Sequence, residues 1–133
     1  MKKMNPVVHF EMPADDMKRM TNFYSNVFGW QTQVMGAEMG NYVTVTTSEA
    51  GENGRPKAAG TINGGFYPKN EGQPANHPSI VIAVDNIKES IKKVSDAGGK
   101  VMNEPVDIPG IGAYVSIIDT EGNLVSLLQP LME

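Results

Sequence analysis

The sequence predicts an α+β fold in which one βαβββ unit occurs twice, and three observations predict it. The chain matches itself at a displacement of 70 residues. Each copy opens with an apolar strand, a polar cap and an amphipathic helix that ends near a glycine. Three strand-like segments then follow each helix.

The elements justify themselves in order. Displaced by 70, the segment from His9 to Lys18 lies without a gap on the segment from Ser79 to Lys88, Tyr24 meets Val94 and Gly29 meets Gly99. Asp16 and Asn86 stand where a side-chain oxygen can accept from the orphan N–H groups of a helix start, and Asn86 with Glu89 makes a capping-box pattern. Met17, Met20, Tyr24, Val27 and Phe28 follow helical spacing, as do Ile87, Ile91 and Val94; such stripes pack a helix on a sheet. Gly29 and Gly99 suit a left-handed stop. Strands are expected at Trp30–Val34, Asn41–Thr47 and Gly60–Phe66, then at Lys100–Val106, Ala113–Ile118 and Leu124–Gln129. Val43 and Val45 alternate with threonines, as a sheet with one apolar face requires. The stretch Ser48–Lys57 reads as a polar hairpin loop with an Asn53-Gly54 turn signal. The closing strands match at a displacement of 62, which sets Gly60 on Gly122, Gly64 on Ser126 and Pro68 on Pro130. The proline-rich stretch 68–78 reads as the connector between a first module at 5–68 and a second at 78–131 within a single domain. Two curved antiparallel sheets, each with a helix on one face, bury their other faces by pairing, and that leaves a cleft.

Composition bounds the function. The 133 residues carry 40% hydrophobic and 20% charged side chains, which is globular rather than disordered. No cysteine is present. That removes disulfides, thiolate metal sites and a cysteine nucleophile, and it suits a cytoplasmic protein. A net charge of −4 without a basic tract argues against a nucleic-acid partner. No apolar run has the length to span a bilayer, and Met1–Pro6 lacks the apolar segment of a signal peptide. The expected partner is a small molecule.

Several residues could meet it. His9 and Glu11 are two apart on a strand and share a face, while Phe10 and Met12 point under the helix. A carboxylate beside an imidazole favours the protonated ring and raises its pKa, so the pair reads as an acid–base couple near neutral pH or as a polar patch that satisfies itself. Gly64 and Gly65 admit close approach of a backbone or ligand, or mark a bulge. Ser79 and Ser126 can hydrogen-bond a ligand, water or backbone. Tyr42, Phe66 and Tyr114 are the candidate aromatic walls, with faces that flip if the strand register slips by one. Ile108-Pro109-Gly110-Ile111-Gly112 reads as a lid rim or as an ordinary strand connection.

The segments His9–Asp16, Phe23–Trp30, Asn63–Phe66, Ala97–Val101, Ile108–Gly112 and Asp119–Leu124 together resemble the vicinal oxygen chelate superfamily, the glyoxalase, bleomycin-resistance and extradiol-dioxygenase group, over essentially the whole chain from Val7 to Pro130. The resemblance implies a glyoxalase-like fold, and in members with chemistry a divalent metal held from the first and last strand of each module. Those four positions fall on His9, Gly64, Ser79 and Ser126. Only His9 is a competent ligand, because glycine has no side chain and neutral serine hydroxyls are poor donors for a catalytic transition metal. His77 lies two residues before the ligand position, in the connector. No metal or other cofactor is therefore expected. The resemblance also implies a homodimer. Two functions remain open: a metal-independent, lyase- or isomerase-type enzyme using His9 and Glu11, and a binding or resistance protein that holds an antibiotic-like molecule without chemistry.

Overall fold

The computed structural model describes residues 3–52, 56–69 and 77–131. The chain forms two compact units: residues 9–78, and residues from Ser79 onward together with the N-terminal residues up to Val8.

In the first unit the strands are β1 (Val7–Ala14), β2 (Gln31–Val34), β3 (Val43–Thr46) and β4 (Asn63–Pro68), with helix α1 at Met17–Phe28 and a 3-10 turn at Ala37–Met39. They lie in the order β2-β3-β4-β1. β3 runs antiparallel to β2 and β4, whereas β4 runs parallel to β1. A parallel neighbour needs a long crossover rather than a tight turn, and α1 with β2 and β3 provides it. The Asp16 carboxylate accepts from the Arg19 N–H at 3.0 Å, and Gly29 closes the helix at φ 74° with its N–H on the Ser25 carbonyl. Met17, Met20 and Tyr24 of α1 pack with Phe10, Met12 and Trp30 around the buried Val43, Val45 and Phe66. Tyr24 stacks on Trp30 with ring centroids 4.8 Å apart.

The second unit repeats the plan with β5 (Ser79–Ala83), α2 (Ile87–Asp96), β6 (Lys100–Val101), β7 (Val106–Ile108), β8 (Gly112–Ile118) and β9 (Leu124–Pro130). The order is β5-β9-β8-β6, with β7 also on β8. β5 is parallel to β9 and the other pairs are antiparallel. The Asn86 side chain accepts from the Glu89 N–H, and Gln129 on β9 accepts from the Ile87 N–H at 2.8 Å. Ile91 and Val94 of α2 pack against the buried cluster of Val84, Ile87, Val115, Ile117 and Leu127. The N-terminal residues are tied in here, since the Pro6 carbonyl accepts from the Ala83 N–H at 2.9 Å and Lys3 pairs with Asp85 at 2.8 Å.

The α+β class with two βαβββ modules is the observed one, but the sheets expected to be antiparallel are mixed, because β1 runs parallel to β4 and β5 to β9, and there are local departures. The left-handed stop of α2 is Gly98, at φ 95°, and not Gly99. Gly99 is instead crowded, because a Cβ there would lie 2.7 Å from Val94 and 3.1 Å from the Ile118 carbonyl oxygen. The strand expected at Lys100–Val106 is two short strands on β8. Between them the Asn103 side chain accepts from the Ser116 N–H, and Pro105 has no N–H to give a ladder. In the polar loop, Lys57 donates to the Glu49 carbonyl and Ala50 bridges to Pro56, while the expected Asn53-Gly54 turn lies outside the described residues. Most of the expected connector, residues 70–76, also lies outside them. Among the described residues no helix is long and apolar enough to cross a membrane.

Candidate functional site

Alternation along the strands sorts the predicted residues onto two faces. In the first unit, Phe10, Met12, Val43, Val45 and Phe66 face α1, so His9 and Glu11 on β1 face away from it. Glu11 pairs with Gly65 on β4 and Gly65 with Thr44 on β3. This opposite face therefore carries His9, Glu11, Gly65 and Thr44, with Tyr42 leading into β3 and Tyr67 two residues beyond Gly65.

Two expectations are corrected by this parity. A Cβ on Gly64 would press into the Phe10 ring, so Gly64 faces the helix side and does not share a face with His9. Phe66 is 0% exposed within the core cluster, which removes it from the set of ligand walls. The registers explain the slip. Glu11 pairs with Gly65, and its repeat partner Val81 pairs with Ser126. The first-unit equivalent of Ser126 is thus Gly65, at a displacement of 61 rather than 62. A one-residue slip turns every side chain of a strand over.

The structure brings His9, Tyr42 and Gly65 together. The imidazole Nε2 and the Tyr42 hydroxyl form a 2.9 Å hydrogen bond. A Cβ on Gly65 would collide with the Tyr42 hydroxyl and ring. Glu11 is 9% exposed. Burial lowers the His9 pKa below its usual value, which corrects the expectation that Glu11 raises it. Removing the imidazolium from water outweighs a carboxylate two residues away. The ring is therefore neutral at neutral pH. Sequence reasoning missed Tyr67, whose hydroxyl pKa is raised by burial and then by the negative charge of Glu11. The signal was its place in the strand, two residues past a glycine already singled out.

In the second unit, Ser126 is 0% exposed. Its hydroxyl bonds Tyr114 at 2.7 Å and Ser116 at 3.3 Å. Ser116 pairs with Ser126 as Thr44 pairs with Gly65, so Tyr114 is the repeat partner of Tyr42. The signal was present as Tyr42-Val43-Thr44-Val45 against Tyr114-Val115-Ser116-Ile117, and it went unread. Ser79 is half-buried at the start of β5. Ile108–Gly112 is a hairpin between β7 and β8, closed by the Ile111 N–H on the Ile108 carbonyl at 3.0 Å with Gly110 at φ 78°. A hollow of about 260 Å³ is lined by the expected lid-rim residues Ile108, Pro109, Gly110 and Gly112 together with Asp107 and Gln129 among others, and by none of the other predicted site residues. His77 is exposed, and its carbonyl accepts from the Tyr67 hydroxyl at 3.5 Å.

The family-implied metal does not fit this donor set. With the register corrected, the four positions are His9, Gly65, Ser79 and Ser126, a single imidazole with two hydroxyls. Among the described residues no three or more His, Cys, Asp or Glu side chains gather where they could hold an ion. Transition-metal sites want about three strong nitrogen, oxygen or sulfur donors.

A family model described as the glyoxalase/bleomycin resistance protein/dioxygenase superfamily matches residues 7–127. CFP32 of Mycobacterium tuberculosis, named as a glyoxylase, is 37% identical over 83 residues, or 61% of this chain and 31% of that protein. The chain thus spans about a third of the length of that relative. A glyoxylase-like domain-containing protein of Didymella fabae is 31% identical over 116 residues, covering 85% of this chain and 84% of that protein. Among solved structures, a methylmalonyl-CoA epimerase of Streptomyces coelicolor superposes with a TM-score of 0.68 at 14% identity, over 98% of this chain and 100% of that one. At that identity the likeness is one of fold.

Proposed function

The chain belongs to the glyoxalase/bleomycin resistance protein/dioxygenase superfamily, and from that premise we propose that it binds a small, polar, non-anionic molecule against the face carrying His9, Glu11 and Tyr42. On this reading His9 and Glu11 do acid–base work without a metal. The observation that carries it is a neutral, half-buried imidazole hydrogen-bonded to Tyr42 beside the buried Glu11. A neutral imidazole accepts a proton from a bound molecule, and Glu11 on the same face stabilises the cation that forms.

The charge preference follows from composition. Strands β1 to β4 contain no lysine or arginine, and Glu11 is their single acidic side chain. A ligand anion about 4 Å from Glu11 would be repelled by about 4 kcal/mol at an effective dielectric of about 20. A neutral hydroxyl or carbonyl compound escapes that cost, and a cation reverses it. The superfamily also includes bleomycin-resistance proteins, so binding without turnover is the second reading. It is supported by the same lack of metal donors.

A thermal-shift screen with matched neutral, cationic and carboxylate or phosphate compounds tests the proposal. Neutral or cationic compounds should raise Tm, and the effect should vanish in His9→Ala with the fold intact. Preferential stabilisation by carboxylates or phosphates would overturn the charge assignment. A stabilising compound recovered unchanged after long incubation selects the binding reading; its conversion, lost in His9→Ala, selects the enzyme. We also propose that the protein is a homodimer in a cytoplasmic setting. A constant monomer mass across a wide concentration range in sedimentation would retire the dimer.

A further inference from the structure

We propose that Tyr42 is a positioning residue that fixes the proton distribution on the His9 ring, and that position 65 is glycine because the tyrosine hydroxyl occupies the space its side chain would need. The inference deepens the functional reading above and rests on it for its consequence, since it concerns the group that meets the ligand.

The geometry has three parts. Tyr42 enters β3, β4 lies beside β3, and β1 lies beside β4. To reach Nε2 of His9 on β1, the Tyr42 side chain crosses over β4, and it does so at Gly65, where any Cβ would meet its hydroxyl and ring carbons. Position 65 is also the first unit's equivalent of Ser126, the corner from which a metal ligand would project in relatives with chemistry. A tyrosine hydroxyl from the neighbouring strand stands in that corner instead.

The second unit supplies an internal control. Tyr114, the repeat partner of Tyr42, arrives at the same corner of its own sheet and finds a serine there. Its hydroxyl stops at the Ser126 Oγ, 2.7 Å away, and Ser126 is fully buried. One tyrosine in two repeats thus has two outcomes, set by the residue beneath it. Serine holds the hydroxyl over the last strand, and glycine lets it pass to the first.

The consequence is chemical. A neutral imidazole carries one proton on either of two nitrogens, and the partner of one nitrogen decides what the other presents. With Nε2 committed to Tyr42, Nδ1 is the nitrogen a ligand meets, and the hydroxyl weights the two tautomers unequally according to how strongly it donates and accepts. Without the hydroxyl, both tautomers become accessible and the ring can turn.

The experiment reads the His9 ring nitrogens by NMR in the ligand-free protein at a pH where the ring is neutral. One tautomer should dominate in the wild type. Tyr42→Phe keeps the ring and removes the hydroxyl, and should change the tautomer ratio by about fivefold, the factor expected of one net hydrogen bond. Gly65→Ala should reproduce that change by displacing Tyr42. Its thermal cost, about 5 °C, should largely disappear in a Tyr42→Ala background, where the space is open. An unchanged His9 spectrum in folded Tyr42→Phe overturns the proposal. So does a Gly65→Ala cost that persists undiminished in Tyr42→Ala. The two readings fail separately: a responsive ring in a protein that no neutral or cationic compound stabilises retires the functional reading and leaves the positioning role standing.

Discussion

His9 shows how a single side chain can lie on the right face and still titrate in the unexpected direction. Burial holds its folded pKa below the ordinary histidine value of 6.5. Between 6.5 and that lower value the unfolded chain binds the proton that the folded chain refuses, so stability rises with pH across the window. The stabilising contribution is present above 6.5 and is lost as pH falls toward the folded pKa, where Glu11, Tyr42 and Tyr67 are the titratable groups on the same face. Denaturant melts from about pH 7.5 down to about pH 5 should therefore fall more steeply for the wild type than for His9→Gln. That His9 and Glu11 share a face was legible from period-two alternation alone. The sign of the shift was not, because how far the fold takes the ring out of water is a tertiary property that no local pattern announces. The assignments of Gly64 and Phe66 failed for a related reason: two adjacent glycines give no apolar or polar contrast from which to read parity.

At the scale of elements, the caps and the cores were the most readable features because their signals are local. Asn86 and Asp16 do cap their helices. Replacing Asn86 by Ala should cost about 1 kcal/mol in a denaturant melt, moderated by Gln129, which also serves the first turn of α2. Phe66→Ala removes a fully buried ring from the first unit's core and should cost about 3–5 kcal/mol. A ligand-wall residue would show a much smaller loss in the same melt. The divided strand at β6 and β7 was harder to read. A β-branched residue at each end, Val101 and Val106, looks like one strand, and the interruption depends on Asn103 substituting its side chain for a main-chain acceptor. The α2 stop moved by one residue within a Gly98-Gly99 pair, where either glycine tolerates the left-handed region. The turn between β8 and β9 is held by Asp119, whose carboxylate accepts from the Glu121 and Asn123 N–H groups and from the Asn123 side chain. Those bonds lower its pKa. Asp119→Ala should lower Tm and speed amide exchange at Asn123.

For the whole molecule, the repeat was the decisive signal, and its two units share a strand order in which the first strand runs parallel to the last. The displacement of 70 held through the first strand and the helix cap, while the closing strands needed 61 and the middle strands 72. Loop lengths differ between copies, so no single offset aligns a unit. The same divergence explains why the ligand corner was misplaced by one residue although the fold was right. The N-terminal residues carry one more consequence. Pro6 and Lys3 are made before the first unit, yet their partners Ala83 and Asp85 are made after it, nearly eighty residues later. The leading segment must therefore wait, solvated, while Phe66 and its neighbours gather around α1. Once residues 9–78 have emerged and those from Ser79 onward are still in the ribosomal tunnel, the first unit's interior can close while the segment ahead of Val8 is still unmoored. Limited proteolysis of stalled chains should cut ahead of Val8 and spare β3.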